Sequence, residues 1–213
     1  YLIYTSGTTG PPKGAMLTMG NLVFATELIM NEDALIQPPA GPKDLLVSYL
    51  PLCHIYEEVF SVLIGIGAGS TVHFGESLDT LITDLREVQP TIMQGVPRIW
   101  ERIHAASMVR MASASPIKRL NAGIWLAAAR YIGATKVKRD GRHSFLSRIL
   151  AGLGEVFLFR ALKDRSGLRR VRSAISGAAP IAPEILEFYM GIGVPLVEAY
   201  GMTENTAIST ANP

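Results

Sequence analysis

Four hydroxyl side chains, three glycines and one lysine crowd into residues 5–14 of this 213-residue chain, Thr5-Ser6-Gly7-Thr8-Thr9-Gly10-Pro11-Pro12-Lys13-Gly14. Thr5, Ser6, Thr8 and Thr9 can each donate or accept a hydrogen bond. Gly7, Gly10 and Gly14 permit sharp turns and let a ligand approach main-chain N–H groups. Lys13 adds a mobile positive charge behind a stiff proline pair. Such a set suits phosphate oxygens. A polar surface turn is the plainer reading of any Gly/Ser/Thr run, but the strand-like Tyr1–Tyr4 ahead of this one favours a cradle. The G-x-x-x-x-G-K-[ST] phosphate loop is excluded by spacing: counted from Gly7, Pro12 stands where glycine is required and Gly14 where a hydroxyl is required.

Two later stretches offer complementary chemistry. Ser176-Gly177-Ala178-Ala179-Pro180-Ile181 is small and flat enough for its backbone to lie against a planar base. Glu198-Ala199-Tyr200-Gly201-Met202-Thr203-Glu204-Asn205 supplies an aromatic ring, a hydroxyl and a carboxylate. Beside phosphates, a carboxylate serves better as a Mg²⁺ ligand than as a general base, because hard cations take oxygen ligands. Glu204 alone would read as an exposed turn acid; three loops that each follow a strand point to a shared site. No Ser-His-Asp or Cys-His arrangement stands out, and Cys53 beside His54 has no orienting partner in the pattern.

These side chains need a scaffold. Short apolar runs at Tyr1–Tyr4, Asp44–Pro51, Ser70–Phe74, Thr91–Val96, Val171–Ser176 and Pro195–Tyr200 read as strands. Helical stretches intervene: one capped by Thr18 and running to about Asn31, with Leu22, Val23, Leu28 and Ile29 for its apolar face; one through Glu57–Gly67; one opening near Ser77; and one over Glu184–Gly193. Residues 37–43 are a connector. Pro97 begins a largely helical region to about Asp164, broken near Pro116 and around Lys138–His143. The alternation predicts an α/β fold, mostly parallel sheets covered by helices.

Nearly half of the residues are apolar, which predicts a packed globular chain. No apolar run is long enough to cross a bilayer. A single cysteine excludes an intrachain disulfide and fits a reducing, cytoplasmic setting. Because the first residue is Tyr1, the chain reads as a segment of something longer that begins inside a strand. The net charge of +2 conceals a division: residues 98–172 hold 17 of the 20 Lys/Arg against four acids, Glu101, Asp140, Glu155 and Asp164. That segment can be a solvated outer face, can pair with the acidic remainder, or can meet an anionic membrane peripherally.

Tyr4–Gly14, with Tyr200-Gly201-Met202-Thr203-Glu204, resembles the two nucleotide motifs of the adenylate-forming (acyl-activating, AMP-binding) enzymes. Leu50–Glu57 and Ser176–Ile181 stand at the family's intermediate motif positions in the same order, so the resemblance spans nearly the whole chain. Pro90–Ile103 and the basic helical segment are most similar to long-chain fatty acyl-CoA synthetases. The resemblance implies that residues 1–213 are part of the large N-terminal domain, with residues 98–170 a basic helical insertion. The ribose-binding aspartate motif and the C-terminal lid with its lysine would lie outside these residues, leaving the segment inactive alone.

The resemblance also implies roles. Thr5, Ser6, Gly7, Thr8, Thr9 and Gly10 wrap the ATP phosphates, with Lys13 near the departing β and γ groups. Thr5 and Glu204 hold Mg²⁺, Thr203 touches the α-phosphate and Tyr200 stacks on adenine. Gly177, Ala178 and Ala179 line the base pocket, with Glu198, Ala199, Gly201 and Met202 completing the nucleotide edge. His54 sits beside the acyl carboxylate, its plainer alternative being a helix-capping histidine. The implied reaction joins a fatty acid to AMP and then to coenzyme A. The alternatives are a carrier-protein thiol as acceptor, or a nucleotide-binding module without catalysis. No nucleic-acid partner is expected.

Overall fold

The computed structural model describes residues 1–5, 10–31 and 35–212. Strand β1 (Leu2–Thr5) pairs antiparallel with β2 (Lys13–Met16), Leu2 opposite Met16 and Thr5 opposite Lys13. The glycine-rich stretch thus joins the two strands of a hairpin. Helix α1 (Met19–Met30) opens on a capping box in which Thr18 and Asn21 satisfy each other's backbone N–H groups. Its buried stripe is Leu22, Ala25 and Ile29, the i, i+3, i+7 spacing of one helical face. Val23 and Leu28, expected on that face, are exposed.

Parallel strands β3 (Leu45–Ser48) and β4 (Thr71–Phe74) are joined through α2 (Ile55–Glu57), a π-helical turn at Glu58–Leu63, and α3 (Ile64–Ala68). Helix α4 (Leu81–Val88) begins later than Ser77, because the Ser77 and Thr80 side chains first exchange hydrogen bonds with each other's backbone. Strand β5 (Ile92–Gly95) leads into α5 (Pro97–Ala112) and α6 (Pro116–Val137). Helix α7 (Phe145–Gly154), a π-helical turn at Glu155–Phe159 and α8 (Arg160–Arg165) follow without a break. Then come β6 (Ser173–Ser176), α9 (Pro183–Gly191), β7 (Leu196–Tyr200) and β8 (Thr210–Ala211).

β5, β6 and β7 are parallel neighbours, and β8 closes the edge antiparallel to β7. The parallel α/β expectation holds, with antiparallel pairs at the hairpin and at this edge. Alternation along the strands gives each face its own core. Met93, Ala174 and Leu196 pack with Trp100, Phe159 and Tyr189, whereas Ile92, Ile175 and Ala199 pack with Leu22, Ile29, Phe60 and Ile64. Ile3 and Leu17 from the hairpin flanks join this second core.

A charged node fixes the amino ends of the strands. Arg172 donates to Asp44 through Nε at 2.8 Å and Nη2 at 2.6 Å, and its Nη1 donates to the Pro38 carbonyl at 2.6 Å. Thr91 Oγ1 and the Gly41 N–H also donate to this carboxylate, at 2.7 and 2.9 Å. Burial alone would raise the Asp44 carboxyl, but these hydrogen bonds outweigh it and hold it at about 2, below its ordinary 3.8. A folded-state value below the unfolded one stabilises the fold at and above about pH 4. That stabilisation is lost as pH falls toward 2. Urea midpoints should therefore drop between pH 4.5 and 2.5, and by less in an Asp44→Asn variant.

Candidate active site

β6 ends at Ser176 and β7 at Tyr200, with Ser176 opposite Glu198, so the following loops leave the sheet side by side at its carboxyl end. The Glu198 carboxylate accepts from the Ile181 N–H at 3.1 Å and holds the Gly177–Ile181 loop against β7. Gly177 is buried, with the Tyr56 ring 3.3 Å from where a Cβ would stand; Ala178 and Ala179 are exposed. Ala178 takes a left-handed φ of 69°, a strained conformation for a residue with a Cβ. Between the loops lies a cavity of about 300 Å³ lined by Ala178, Ala179, Glu198, Tyr200 and Gly201, with Thr210–Asn212 across from them. Tyr200 presents an exposed ring at its rim.

A second cavity, about 330 Å³, adjoins the first through the shared residues Ala178 and Gly201. Its other walls come from His54, Tyr56, Val96, Met202, Thr203 and Ala207. His54 stands at the N-cap position of α2, but its side chain makes no capping bond and is exposed. The capping alternative is not what this side chain does. Cys53 beside it is a free, exposed thiol. The Tyr56 hydroxyl donates to the Ile175 carbonyl at 3.4 Å, and burial pushes its phenol well above the usual range, so it stays protonated.

The hairpin meets the same region. β2 lies against the short turn Thr203–Asn205, and Ile3 shares a core with Ala199 and Ala207. Thr5 Oγ1 donates across the hairpin to the Lys13 carbonyl at 3.3 Å. Gly10 has a φ of 120°, accessible to glycine. The side chains of Lys13 and Glu204 are exposed and make no hydrogen bond or ion pair with any described residue. Ser6, Gly7, Thr8 and Thr9 lie outside the described residues. Through β2 the hairpin thus meets the turn that carries Thr203 and Glu204, beside the two cavities.

Neighbouring groups escaped the sequence reading. One residue on from Tyr56, Glu57 accepts from Ser61 Oγ at 2.6 Å and from Gln94 Nε2 at 2.8 Å, all three buried. This buried hydrogen-bonded cluster, in which Gln94 Oε1 has no partner among the described residues, fixes α2 against β5, on the segments that carry Tyr56 and Val96 to the cavity wall. The signals were an acid and a serine at i, i+4 and a glutamine inside an apolar strand.

Gly201 is constrained by space. A Cβ there would strike the Ala207 carbonyl, a backbone group that cannot swing aside. Gly201→Ala should displace Thr203 and Glu204, and any activity that depends on that turn should fall with it. The overpacking cost should stay near 1–3 kcal/mol, separable by a thermal melt of the same variant.

No cluster of three or more His, Cys, Asp or Glu able to hold a metal occurs among the described residues. The oxygen donors at this end, the Glu204 carboxylate and the Thr5 hydroxyl, suit Mg²⁺, which binds through one or two carboxylates plus substrate phosphates.

A profile of the AMP-binding enzyme family matches residues 1–213. The long-chain-fatty-acid–CoA ligase ACSBG2 of Gallus gallus is 34% identical over 215 residues, covering 99% of this chain and 27% of that protein. Its Homo sapiens counterpart is 32% identical over 212 residues, covering 98% of this chain and 31% of that protein. Among solved structures, the A-PCP didomain of carboxylic acid reductase from Segniliparus rugosus, in complex with AMP, superposes with a TM-score of 0.61 at 28% identity. It covers 95% of this chain and 23% of its own. The chain spans less than a third of the length of each relative, and it belongs to the AMP-binding enzyme family.

Proposed function

We propose that this chain supplies the ATP-binding part of a ligase that converts a long-chain fatty acid to acyl-AMP and then to its coenzyme A thioester. The observation that carries the reading is the meeting of the β1–β2 hairpin, the Thr203–Asn205 turn and two adjoining cavities at the carboxyl end of one parallel sheet. The ligase names of its relatives support the acyl substrate and the acceptor.

In this reading residues 1–213 are part of an adenylation domain, and residues 98–170 are a basic helical insertion within it. Adenine lies in the cavity between the Gly177–Ile181 loop and Tyr200, its ring on Tyr200. Glu198, Ala199, Gly201 and Met202 form the nucleotide edge. Thr5 to Gly10 wrap the phosphates, Lys13 neutralises charge on the departing pyrophosphate, and Thr203 donates to the α-phosphate. Glu204 and Thr5 are the protein ligands for Mg²⁺, which when bound screens the phosphate charge. The acid lies in the cavity beside His54. Its carboxylate oxygen bonds to the α-phosphorus as the bridge to the β-phosphate breaks; coenzyme A sulfur then takes the acyl carbon and AMP leaves. No protein nucleophile takes part.

The test is fatty-acid-dependent ATP–pyrophosphate exchange by the natural protein across chain lengths. Exchange with long-chain acids, without coenzyme A, is expected. Absence of exchange with every acid overturns the ligase reading. Supplying coenzyme A or a carrier-protein thiol afterwards identifies the acceptor.

A further inference from the structure

The exposed side of the continuous helix Phe145–Arg165 breaks the usual rule for a solvated face. Phe145, Leu146, Ile149, Leu153, Val156 and Phe157 all point outward. They recur at three- and four-residue spacing, the pattern of a single helical stripe. The opposite side is already used, since Phe159 and Leu162 fill the core around Trp100. Gly154 makes this division possible: the Phe159 ring occupies the space where its side chain would stand. The π-helical turn then carries Val156 and Phe157 to the outer side.

The first half of α6 extends the stripe. Phe157 stacks on Trp125 with ring planes 8° apart, and Asn121 Nδ2 donates to the Phe157 carbonyl at 3.2 Å. Beyond them Ile117, Leu120 and Ile124 are exposed on α6. Ile117, Phe145 and Val156 are 82%, 84% and 78% exposed. A patch of this extent on a soluble surface marks a contact site.

The charges on the same helices are predominantly positive. α6 has no acidic residue, and between Phe145 and Arg160 the only acid is Glu155, which is paired with Lys163 at 2.9 Å. Lys118, Arg119, Arg130, Arg148 and Arg160 are exposed. Beside Phe157 a cavity of about 260 Å³ between α5, α6 and α8 is lined by apolar Met111 and Leu158 and by three cations, Arg110, Lys118 and Arg165. That combination accepts an anionic head group with an apolar tail. A second copy is a poor occupant, because a symmetric contact would set these cations against one another. No helix among the described residues is long and apolar enough to cross a membrane. A flat helix with bulky apolar and basic side chains instead fits the bilayer interface.

We propose that the face formed by Phe145–Arg160 and the first half of α6 docks the protein on an anionic membrane surface. The apolar side chains enter the head-group boundary and the arginines and lysines lie at the phosphates. The proposal does not depend on the ligase reading, although it would bring such an enzyme to a membrane-held acid.

The test is co-sedimentation of the natural protein with vesicles of phosphatidylcholine alone or with one quarter phosphatidylglycerol. Binding to the mixed vesicles, weak binding to the neutral ones and loss at high salt are expected. Arg148→Gln/Arg160→Gln should weaken partitioning by roughly tenfold or more. Ile117→Ser/Phe145→Ser/Val156→Ser, all at strongly exposed positions, should weaken it at least as much, with unchanged melting temperature and ATP–pyrophosphate exchange. Equal binding by wild type and both variants overturns the proposal. So does failure of wild type to bind, whether the triple variant turns a dimer into a monomer or a Phe145→Cys thiol proves unreactive because another part of the natural protein covers it.

Discussion

Glu204→Gln is expected to lower fatty-acid-dependent ATP–pyrophosphate exchange by roughly 10²–10³-fold, the scale seen when one preorganised electrostatic contact to a reacting centre is removed. Glutamine keeps the shape and removes the charge. Glu204 is exposed and spends its carboxylate on no described residue, so the fold should be indifferent to the change. Glu198, the neighbouring acid, is engaged with the Ile181 N–H and is not placed to substitute. If Glu204 is a magnesium ligand, the variant should need a higher Mg²⁺ concentration for half-maximal rate, and Glu204→Asp should recover part of the activity. A variant with wild-type exchange and wild-type Mg²⁺ dependence would remove Glu204 from the site. A drop in melting temperature of the same variant would show a structural role instead.

The second large effect concerns stability. Arg172→Ala leaves the Asp44 carboxylate buried against Thr91 and the Gly41 N–H without its cation. Breaking one side of such a pair costs about 3–5 kcal/mol, mostly the penalty of an unpaired buried charge. The loss should appear as a lower urea midpoint. It should be partly recovered in Asp44→Asn/Arg172→Met, which removes the stranded charge, and a double-mutant cycle measures the coupling. Because Arg172 also donates to the Pro38 and Pro39 carbonyls, some of the loss should persist in the double variant. A single variant as stable as the wild type would mean that Asp44 finds water in the native state.

These two residues divide the parallel strands. Asp44 and Arg172 tie the amino end of β3 to that of β6 in the neighbouring sheet, whereas Thr203 and Glu204 follow the carboxyl end of β7. Stability and chemistry are thereby placed at opposite ends. A Gly201 substitution and an Arg172 substitution should separate cleanly in activity and melting measurements.

Much of this arrangement was legible because it depends on local pattern. The buried runs Leu45–Ser48, Ile92–Gly95 and Ser173–Ser176 are short, apolar and bounded by turn residues, and each forms a parallel strand. Thr18 announces α1 through its own side chain. What escaped depends on distant partners. Lys13–Met16 carries no alternating pattern, and it is a strand because Leu2–Thr5 pairs with it. Val23 and Leu28 are apolar yet exposed, since the stripe that meets the core runs through Leu22, Ala25 and Ile29. At the site, the motifs gave the loop residues. Tyr56, Val96 and Ala207 could be found only once folding brought α2, β5 and the Thr206–Ala207 turn around one cavity. Glu57, Ser61 and Gln94 are likewise joined by contacts across some 33–37 positions in sequence.

In the proposed function, the β1–β2 hairpin and the turn after β7 hold one magnesium-bound triphosphate between them. The most direct test of that arrangement is an experimental structure of the natural protein with Mg²⁺ and a non-hydrolysable ATP analogue. Adenine is expected against Tyr200 and the Gly177–Ala179 backbone, with Thr5 and Glu204 oxygens on the same ion at about 2.1 Å. Nucleotide bound elsewhere, or an ion that touches neither residue, would contradict it.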